Sequence, residues 1–287
     1  MSRKASGAGS GHAGPPAAPE PLPVPVVDNH AHLDVARDGG PRPDVAEALR
    51  AAAAVGVDRV IQIGCDLPAA RFTAAAVDEH PRLLGGVAIH PNDVPPLAAA
   101  GRLDDALAEI AELVAHPRIR VVGETGLDYF RTAPEQHAVQ QDAFRWHIDL
   151  AKRTGLALQI HDRDAHDDVL RILAEEGAPE RTVLHCFSGD VAMARECVER
   201  GYYLSFAGTV TFSSAHELRE ALAVVPLDRV LVETDAPYLT PHPFRGATNA
   251  PYLVPLTVRR MAAVLGVDVP TLCQAISATS EELYGPW

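Results

Sequence analysis

Along this chain, runs of apolar residues typical of buried strands alternate with spacings typical of amphipathic helices. Eight short runs rich in Val, Ile and Leu occur, and a helix-like pattern follows each one. This alternation predicts βαβ units with parallel strands. The predicted strands cover residues 26–27, 57–64, 83–90, 119–124, 156–161, 182–187, 202–208 and 229–235, and the predicted helices cover 43–55, 68–80, 103–115, 134–154, 164–176, 190–200, 214–224 and 252–265.

Eight strand–helix units favour a closed α/β barrel, the (β/α)8 or TIM barrel, for which about 250 residues are typical. Residues 26–287 are close to that length. A doubly wound open sheet is the alternative, but it would carry a glycine-rich phosphate loop after the first strand. The sequence there reads HAHLD. We therefore predict one barrel domain over 26–287.

The N-terminal segment has a different composition. Residues 1–25 are rich in Gly, Pro, Ala and Ser and contain few apolar side chains. Such a segment buries too little apolar surface to offset its conformational entropy, so we predict a disordered tail over 1–25. No apolar run reaches the roughly 18 residues of a membrane span. No secretory signal is visible either, and we expect a cytoplasmic protein that makes no membrane contact.

Charge and cysteine content exclude several classes of protein. The formal net charge is −13, which argues against a basic module that coats nucleic acid. A nucleic-acid substrate would need local positive charge, which bound metal ions could supply. The four cysteines are scattered without a CxxC pair, so neither a disulfide framework nor a thiolate zinc site is expected.

Ligand-type side chains gather where the predicted strands end. In a parallel barrel the carboxyl ends of all strands meet at one mouth, where barrel enzymes keep their active sites. Residues distant in sequence can therefore converge in one pocket. The candidates for metal ligands are His30, His32, Glu124, His161, His185 and Asp235.

This set of residue types indicates a particular chemistry. His30 and His32 are two apart on an extended segment, so both can reach one ion. Four imidazoles and two carboxylates are too many for one four-coordinate zinc with an open position. They suit two divalent ions about 3.5–4 Å apart that share a bridging carboxylate. Neither lysine of the chain lies at a strand end, so Glu124 is the candidate bridge, with Asp235 as ligand and general base.

Longer motifs carry a resemblance to a known family. They cover nearly all of 26–287 and read VVDNHAHLD, GETGLDYF, LQIHDRDAHDD, LHCFSG, YLSFAGTVTF and ETDAPYLTPHPFRG. These segments resemble the TatD family of metal-dependent DNases, in family order. The resemblance implies an amidohydrolase-like TIM barrel with a two-metal site. It also implies hydrolysis of phosphodiester bonds, as a DNase or a 3′–5′ exonuclease.

The resemblance also implies residue roles. His30 and His32 would bind the first metal together with Asp235, Glu124 would bridge both metals, and His161 and His185 would bind the second. Arg163, Asp128 and His90 match family positions near the substrate or just behind the ligands. Ser188 is a further candidate for a hydrogen bond to substrate. The predicted substrate-binding residues are therefore Arg163, Asp128, His90 and Ser188.

Two other functions remain open at this level. A two-metal barrel can also cleave carbonyl substrates, for example an aminoacyl ester on tRNA. A non-catalytic scaffold with a metal-binding site is the second alternative. Imidazole and carboxylate ligands suit Zn, Mn and Ni, and Mg less well. The main prediction is a two-metal hydrolase that cleaves DNA, as single strands or at ends, without an obligate protein partner.

Overall fold

In a computed structural model of the chain, which describes residues 14–37 and 42–287, eight parallel strands form one sheet in the consecutive order β1 to β8. The predicted parallel barrel is confirmed, and each predicted strand is present. The strands are β1 Val26–Ala31, β2 Val57–Gly64, β3 Leu83–Val87, β4 Ile119–Asp128, β5 Ala157–Arg163, β6 Thr182–Leu184, β7 Tyr203–Phe206 and β8 Val230–Val232.

Helices follow the strands and cover the outside of the sheet. They are α1 Val45–Ala54, α2 Leu67–Glu79, α3 Val94–Ala99, α4 Leu103–Leu113, α5 His137–Thr154, α6 His166–Glu176, α7 Val191–Glu199, α8 His216–Leu222, α9 Val254–Leu265 and α10 Val269–Tyr284. Four of them, α1, α2, α7 and α10, begin after an aspartate whose carboxylate accepts a hydrogen bond from a first-turn N–H. The sequence analysis did not predict α3 or α10.

Side chains help to join the first strand to the last. The carboxylate of Asp28 accepts hydrogen bonds from the N–H and the hydroxyl of Thr234, at 2.9 and 2.6 Å. Asn29 Nδ2 donates to the carbonyl oxygen of Val232 at 2.6 Å, and a parallel bridge pairs Ala31 with Ala236. These contacts bring the end of β8 against β1, so the sheet is a nearly closed barrel.

The barrel contains an apolar cluster that is separate from the core between the strands and the helices. Ile61, Leu84, Val183 and Leu231 belong to this inner cluster and are fully buried. Tyr284, near the end of α10, packs on the same cluster. Helix α10 therefore closes the amino-terminal end of the barrel, opposite the mouth.

The N-terminal segment differs from the predicted disordered tail of residues 1–25. Residues 1–13 lie outside the described residues, but 14–25 lie against the barrel. Leu22 is buried, and its N–H donates to the carbonyl oxygen of Val55 at 2.9 Å. The Tyr252 hydroxyl donates to the carbonyl oxygen of Pro16 at 2.7 Å. Buried Pro16 and Leu22, together with these hydrogen bonds, thus hold a segment whose composition alone indicated disorder.

Within the described ranges no single helix is long and apolar enough to cross a membrane. The segments 251–265 and 269–284 pass the same test only as a pair, across a bend of 109°.

Candidate active site

The six predicted metal ligands come together at the mouth of the barrel around the carboxylate of Glu124. Each lies in the carboxyl-terminal half of a strand or just beyond it, which explains how positions far apart in sequence converge. Glu124 is itself buried at the centre of the group. Its two oxygens face different sets of histidines.

One set lies on the Oε2 side of Glu124. His30 Nε2 is 3.5 Å and His32 Nε2 is 3.8 Å from this oxygen. Asp235 Oδ1 is 3.3 Å from His32 Nε2, so a second carboxylate completes the set. The Nε2 atoms of His30 and His32 are only 3.3 Å apart. The pair therefore converges as expected for histidines two apart in an extended segment.

The other set lies on the Oε1 side of Glu124. His161 Nδ1 is 2.6 Å and His185 Nε2 is 2.8 Å from this oxygen. His90 Nε2 is 3.4 Å from the same oxygen. The sequence analysis assigned His90 to substrate binding, whereas the structure places it among the possible ligands. His90, Glu124 and His161 bring donor atoms close enough together to hold one ion.

The far ring nitrogen of most of these histidines is held by a protein oxygen. Such contacts fix the ring orientation and leave the other nitrogen free for a metal. The contacts are His30 Nδ1 to Gln159 Oε1 at 2.8 Å, His32 Nδ1 to Ile63 O at 3.0 Å, His185 Nδ1 to Glu233 Oε1 at 3.2 Å and His161 Nε2 to Asp128 Oδ2 at 3.3 Å.

Gln159 and Glu233 are positioning residues that the sequence analysis missed. Gln159 Nε2 donates to the Asn29 carbonyl oxygen at 2.9 Å, which fixes its Oε1 toward His30. Glu233 accepts a short hydrogen bond from the hydroxyl of Ser205. The signal was present in the alternation of the strands. Gln159 precedes His161 by two residues and Glu233 precedes Asp235 by two, so each pair shares one face of its strand.

Local charge keeps the central carboxylate ionised. Burial raises the pKa of Glu124, but His185, His90 and His161 lower it well below its usual range. Burial also raises the pKa of Glu233, and its contact with His185 lowers that pKa below the ordinary value. Anionic oxygens among imidazole nitrogens are a donor set suited to divalent transition metals. The residues present therefore fit metal ions.

A glycine allows β4 and β5 to approach closely beside the site. Gly126 lies opposite His161 in the ladder between these strands. Its φ is +135°, and a Cβ there would lie 2.1 Å from the carbonyl oxygen of His161. Only glycine tolerates both the angle and the contact. This close pairing brings Glu124 and His161 together.

Known proteins resemble this chain in sequence and in fold. The sequence profile of the family described as TatD related DNase matches residues 27–285. This chain belongs to the TatD family. It is 46% identical over 267 residues to an uncharacterized metal-dependent hydrolase, TatD, of Mycobacterium tuberculosis, covering 91% of this chain and 98% of the relative. It is 36% identical over 261 residues to YabD of Bacillus subtilis, an uncharacterized metal-dependent hydrolase, covering 90% of this chain and 98% of the relative.

Solved structures agree with the fold. The TatD homologue YjjV of Escherichia coli superposes with a TM-score of 0.83 at 26% identity, covering 91% of this chain and 98% of that chain. An organophosphorus hydrolase of Deinococcus radiodurans superposes with a TM-score of 0.63 at 16% identity, covering 96% of this chain and all of that chain, which shows a shared fold only. The protein is thus a metal-dependent hydrolase of the TatD family, and its predicted membership is confirmed.

Asp128 lies just behind His161, one of the two places that the family resemblance allowed for it. The residue is only 1% exposed, behind His161. Asn92 Nδ2 and the N–H of Arg131 each donate to its carboxylate at 2.9 Å. Burial raises the pKa of Asp128, but the hydrogen bonds from His161, Asn92 and Arg131 lower it far below the ordinary value. A buried anion in this position orients His161 in this TatD protein, and the assignment of Asp128 to substrate binding stays a prediction.

The other two predicted substrate contacts lie on the solvent side of the site. Arg163 ends β5, and its guanidinium lies 4.1 Å from the ring centroid of Phe130. Ser188 is exposed, and its hydroxyl donates to the carbonyl oxygen of Asp162 at 3.3 Å. Both side chains are near the mouth, so their assignment to substrate remains a prediction.

Cys65 lies beside the Oε2 set, although no cysteine was expected near the site. Its Sγ donates to Glu124 Oε2 at 3.4 Å. Burial and the negative charge of Glu124 raise the pKa of the thiol well above its usual range. The donor atoms of Cys65, His32 and Glu124 lie close enough together to hold one ion, so Cys65 joins the possible ligands that the sequence analysis did not name.

Proposed function

We propose that this TatD protein is a deoxyribonuclease that cleaves phosphodiester bonds with two divalent metal ions, acting as a 3′–5′ exonuclease on single strands or ends. The family to which it belongs is described as related to DNases, which supports the choice of substrate. Curated relatives are described as metal-dependent hydrolases, which supports the class of reaction. We also place the protein in the cytoplasm, in keeping with its four free cysteines.

The division of ligands about Glu124 carries this proposal. Oε2 faces His30 and His32, whereas Oε1 faces His161 and His185. A carboxylate with a separate set of histidines at each oxygen is suited to bridge two ions. A structural metal site would need only one closed set of ligands.

The chain itself supplies several steps of the reaction. Divalent ions bound here would act as Lewis acids and lower the pKa of water. Asp235, whose side chain is 15% exposed, lies at the mouth beside His32 and can accept a proton from the attacking water. Arg163 can bind a phosphate oxygen through its planar guanidinium. The fixed rings of His30 and His185 keep the site organised before substrate arrives.

Cleavage of single-stranded DNA labelled at either end tests this function. Wild-type protein is incubated with Mg²⁺, Mn²⁺, Zn²⁺ or Ni²⁺ beside Glu124→Gln, which keeps the shape of the side chain but removes its charge. Glu112→Gln, on the exposed face of α4, is the matched control. We expect a metal-dependent ladder that recedes from the 3′ end, is retained in the control and is lost in Glu124→Gln.

Two results would contradict the proposal. A ladder from the 5′ end would overturn the polarity and leave the nuclease assignment intact. Absence of cleavage with every metal, in protein shown to contain two ions, would overturn the nuclease assignment. Turnover of an aminoacyl ester under those conditions would favour the carbonyl hydrolase instead.

A further inference from the structure

Among the residues that the structure describes, two large aromatic side chains are exposed, whereas the other large apolar side chains are covered. Phe130 is 62% and Tyr238 is 45% exposed. A single exposed apolar side chain is ordinary and needs no explanation. The position of these two residues is informative, because both lie at the mouth of the barrel.

The two rings stand on opposite sides of the candidate metal centre. Phe130 follows β4 and Tyr238 follows β8, and these strands are diametrically opposed in an eight-stranded barrel. The Tyr238 ring is 6.3 Å from the ring of His32, a member of the Oε2 set. Phe130 is two residues beyond Asp128, which contacts His161 of the Oε1 set. The Tyr238 ring therefore stands beside the Oε2 set, and Phe130 follows the strand that carries Glu124.

Backbone hydrogen bonds hold both loops in place. The N–H of Tyr238 donates to the carbonyl oxygen of Asp235 at 2.8 Å, and the Tyr238 carbonyl oxygen accepts from Asn249 at 2.6 Å. On the other side, the N–H of Tyr129 donates to the carbonyl oxygen of Arg163 at 2.9 Å. The two rings are therefore presented by ordered backbone, which lowers the entropic cost of binding a ligand.

Arg163, at the end of β5, adds a cation beside Phe130. Its guanidinium stacks on the Phe130 ring at 4.1 Å. The described residues provide no hydrogen bond or salt bridge to this group, so its N–H donors remain available. Aromatic faces beside a phosphate-binding cation are the combination that proteins use to hold unpaired nucleotides.

We propose that Phe130 and Tyr238 stack the nucleobases on either side of the phosphodiester that is cleaved, while Arg163 binds its phosphate. The proposal rests on the proposed nuclease function and names the side chains that would hold its unpaired strand. In a duplex the face of each base is covered by its neighbour, so neither ring could stack without unwinding. The rings of Phe130 and Tyr238 therefore select single-stranded DNA and frayed ends.

Equilibrium binding tests the stacking without catalysis. The anisotropy of a fluorescent oligothymidylate is measured in chelator with wild type, Phe130→Ala and Tyr238→Ala. Phe130→Tyr and Tyr238→Phe keep the rings as rescue variants. Trp287→Ala is the matched control, because Trp287 makes the same kind of stack with Arg59, at 5.4 Å, away from the mouth. Thermal melting of each variant confirms that it is folded.

A strand of the same length without bases provides the decisive comparison. Stacking on one aromatic ring changes affinity by roughly 5- to 150-fold. We expect Kd for oligothymidylate to rise by this amount in each alanine variant and to stay unchanged in Trp287→Ala. The abasic strand should bind wild type weakly, and loss of either ring should weaken it no further.

The result that overturns stacking is distinct from failure of the proposed function. If folded Phe130→Ala and Tyr238→Ala bind oligothymidylate as tightly as wild type, or if wild type binds the abasic strand equally well, the stacking proposal is wrong. Metal-dependent cleavage of end-labelled DNA by the wild type would then still support the nuclease. A strand that stacks on both rings and is never cleaved would contradict the nuclease assignment alone.

Discussion

Along β8 and its continuation, Leu231 packs in the apolar cluster inside the barrel, Glu233 hydrogen-bonds His185, and Asp235 faces the mouth. Along β5 the side chains change in the same way, from Ala157 in the apolar cluster to His161 beside Glu124. The amino-terminal half of the barrel interior thus provides stability, while the carboxyl-terminal half provides donors and charge. Because the same strands serve both halves, changes two or four residues apart should have separate effects.

The largest effect on chemistry is expected at the mouth. Asp235→Asn removes the candidate general base but suits the local backbone, whose φ of +55° asparagine tolerates. We expect kcat/KM for DNA to fall about 10²–10⁴-fold, the usual contribution of general acid–base catalysis. The free energy of unfolding in urea should change little. A variant that loses stability and keeps kcat/KM would contradict the division between the two halves.

The opposite result is expected four residues earlier. Leu231→Ala removes a fully buried side chain from the inner cluster. We expect the free energy of unfolding to fall by about 2–5 kcal/mol, as for other large cavities in cores. Activity of the folded protein should stay close to that of wild type. Chemical denaturation and initial rates on the same preparation check both halves of the prediction.

His147 offers a comparison with the histidines of the mouth. It is fully buried on α5, where Nδ1 donates to the Ala143 carbonyl oxygen at 2.7 Å and Nε2 accepts from Ile89 at 3.3 Å. Burial lowers its pKa to about 4, outweighing the hydrogen bond to Ala143, so the folded protein keeps this imidazole neutral.

The pH dependence follows from that depressed pKa. Between pH 6.5 and 4, His147 is protonated in the unfolded chain and neutral in the folded chain. The free energy of unfolding therefore falls as pH falls through this window. Once pH is below this window, the free energy of unfolding has fallen by about 3 kcal/mol on account of His147. We expect the free energy of unfolding of His147→Gln, measured by urea denaturation at several pH values, to depend less steeply on pH in this window than that of wild type. Equal slopes in wild type and variant would show that His147 is not the group responsible.

The smallest of these effects concerns a residue behind the ligands. Asp128→Asn weakens the hold on His161 while leaving every proposed ligand in place. We expect metal affinity to fall about 10- to 100-fold, which is usual for loss of such a partner. Titration of the metal-free protein measures this, and exposed Asp149→Asn on α5 is the matched control. An unchanged affinity would mean that His161 needs no partner.

Much of this arrangement could be predicted from alternation and residue type. The parallel barrel follows from eight strand–helix repeats. Ligands such as His30 and Asp235 could be recognised because it is rare for so many strands of one chain to end in ligand-type residues. The roles of Gln159 and Glu233 were harder to recognise. Strand alternation places each of them on the same face as a predicted ligand, but which histidine ring each one holds depends on how that ring turns. Exposure of Phe130 likewise depends on how the loops pack.

The ends of the chain were predicted least well. Composition indicated disorder for the proline-rich segment, but Leu22 is buried with its N–H on Val55, and Tyr252 and Arg259 hydrogen-bond its carbonyl oxygens. Helix α10 was missed although Asp268 caps its first turn and Leu272 and Ile276 are buried at helical spacing. Its importance comes from Tyr284, which reaches Gln159 inside the barrel with its hydroxyl at 2.9 Å. Such contacts join distant segments and leave no local signal.

The central claim is that Glu124 bridges two metal ions, and anomalous scattering from crystals grown with Zn²⁺ or Mn²⁺ tests it most directly. We expect two peaks about 3.5–4 Å apart, one on the side of His30 and His32 and the other on the side of His161 and His185. Glu124→Gln crystals should show at least one of these peaks weakened. A single peak within one histidine set, or two peaks that do not share Glu124, would contradict the account.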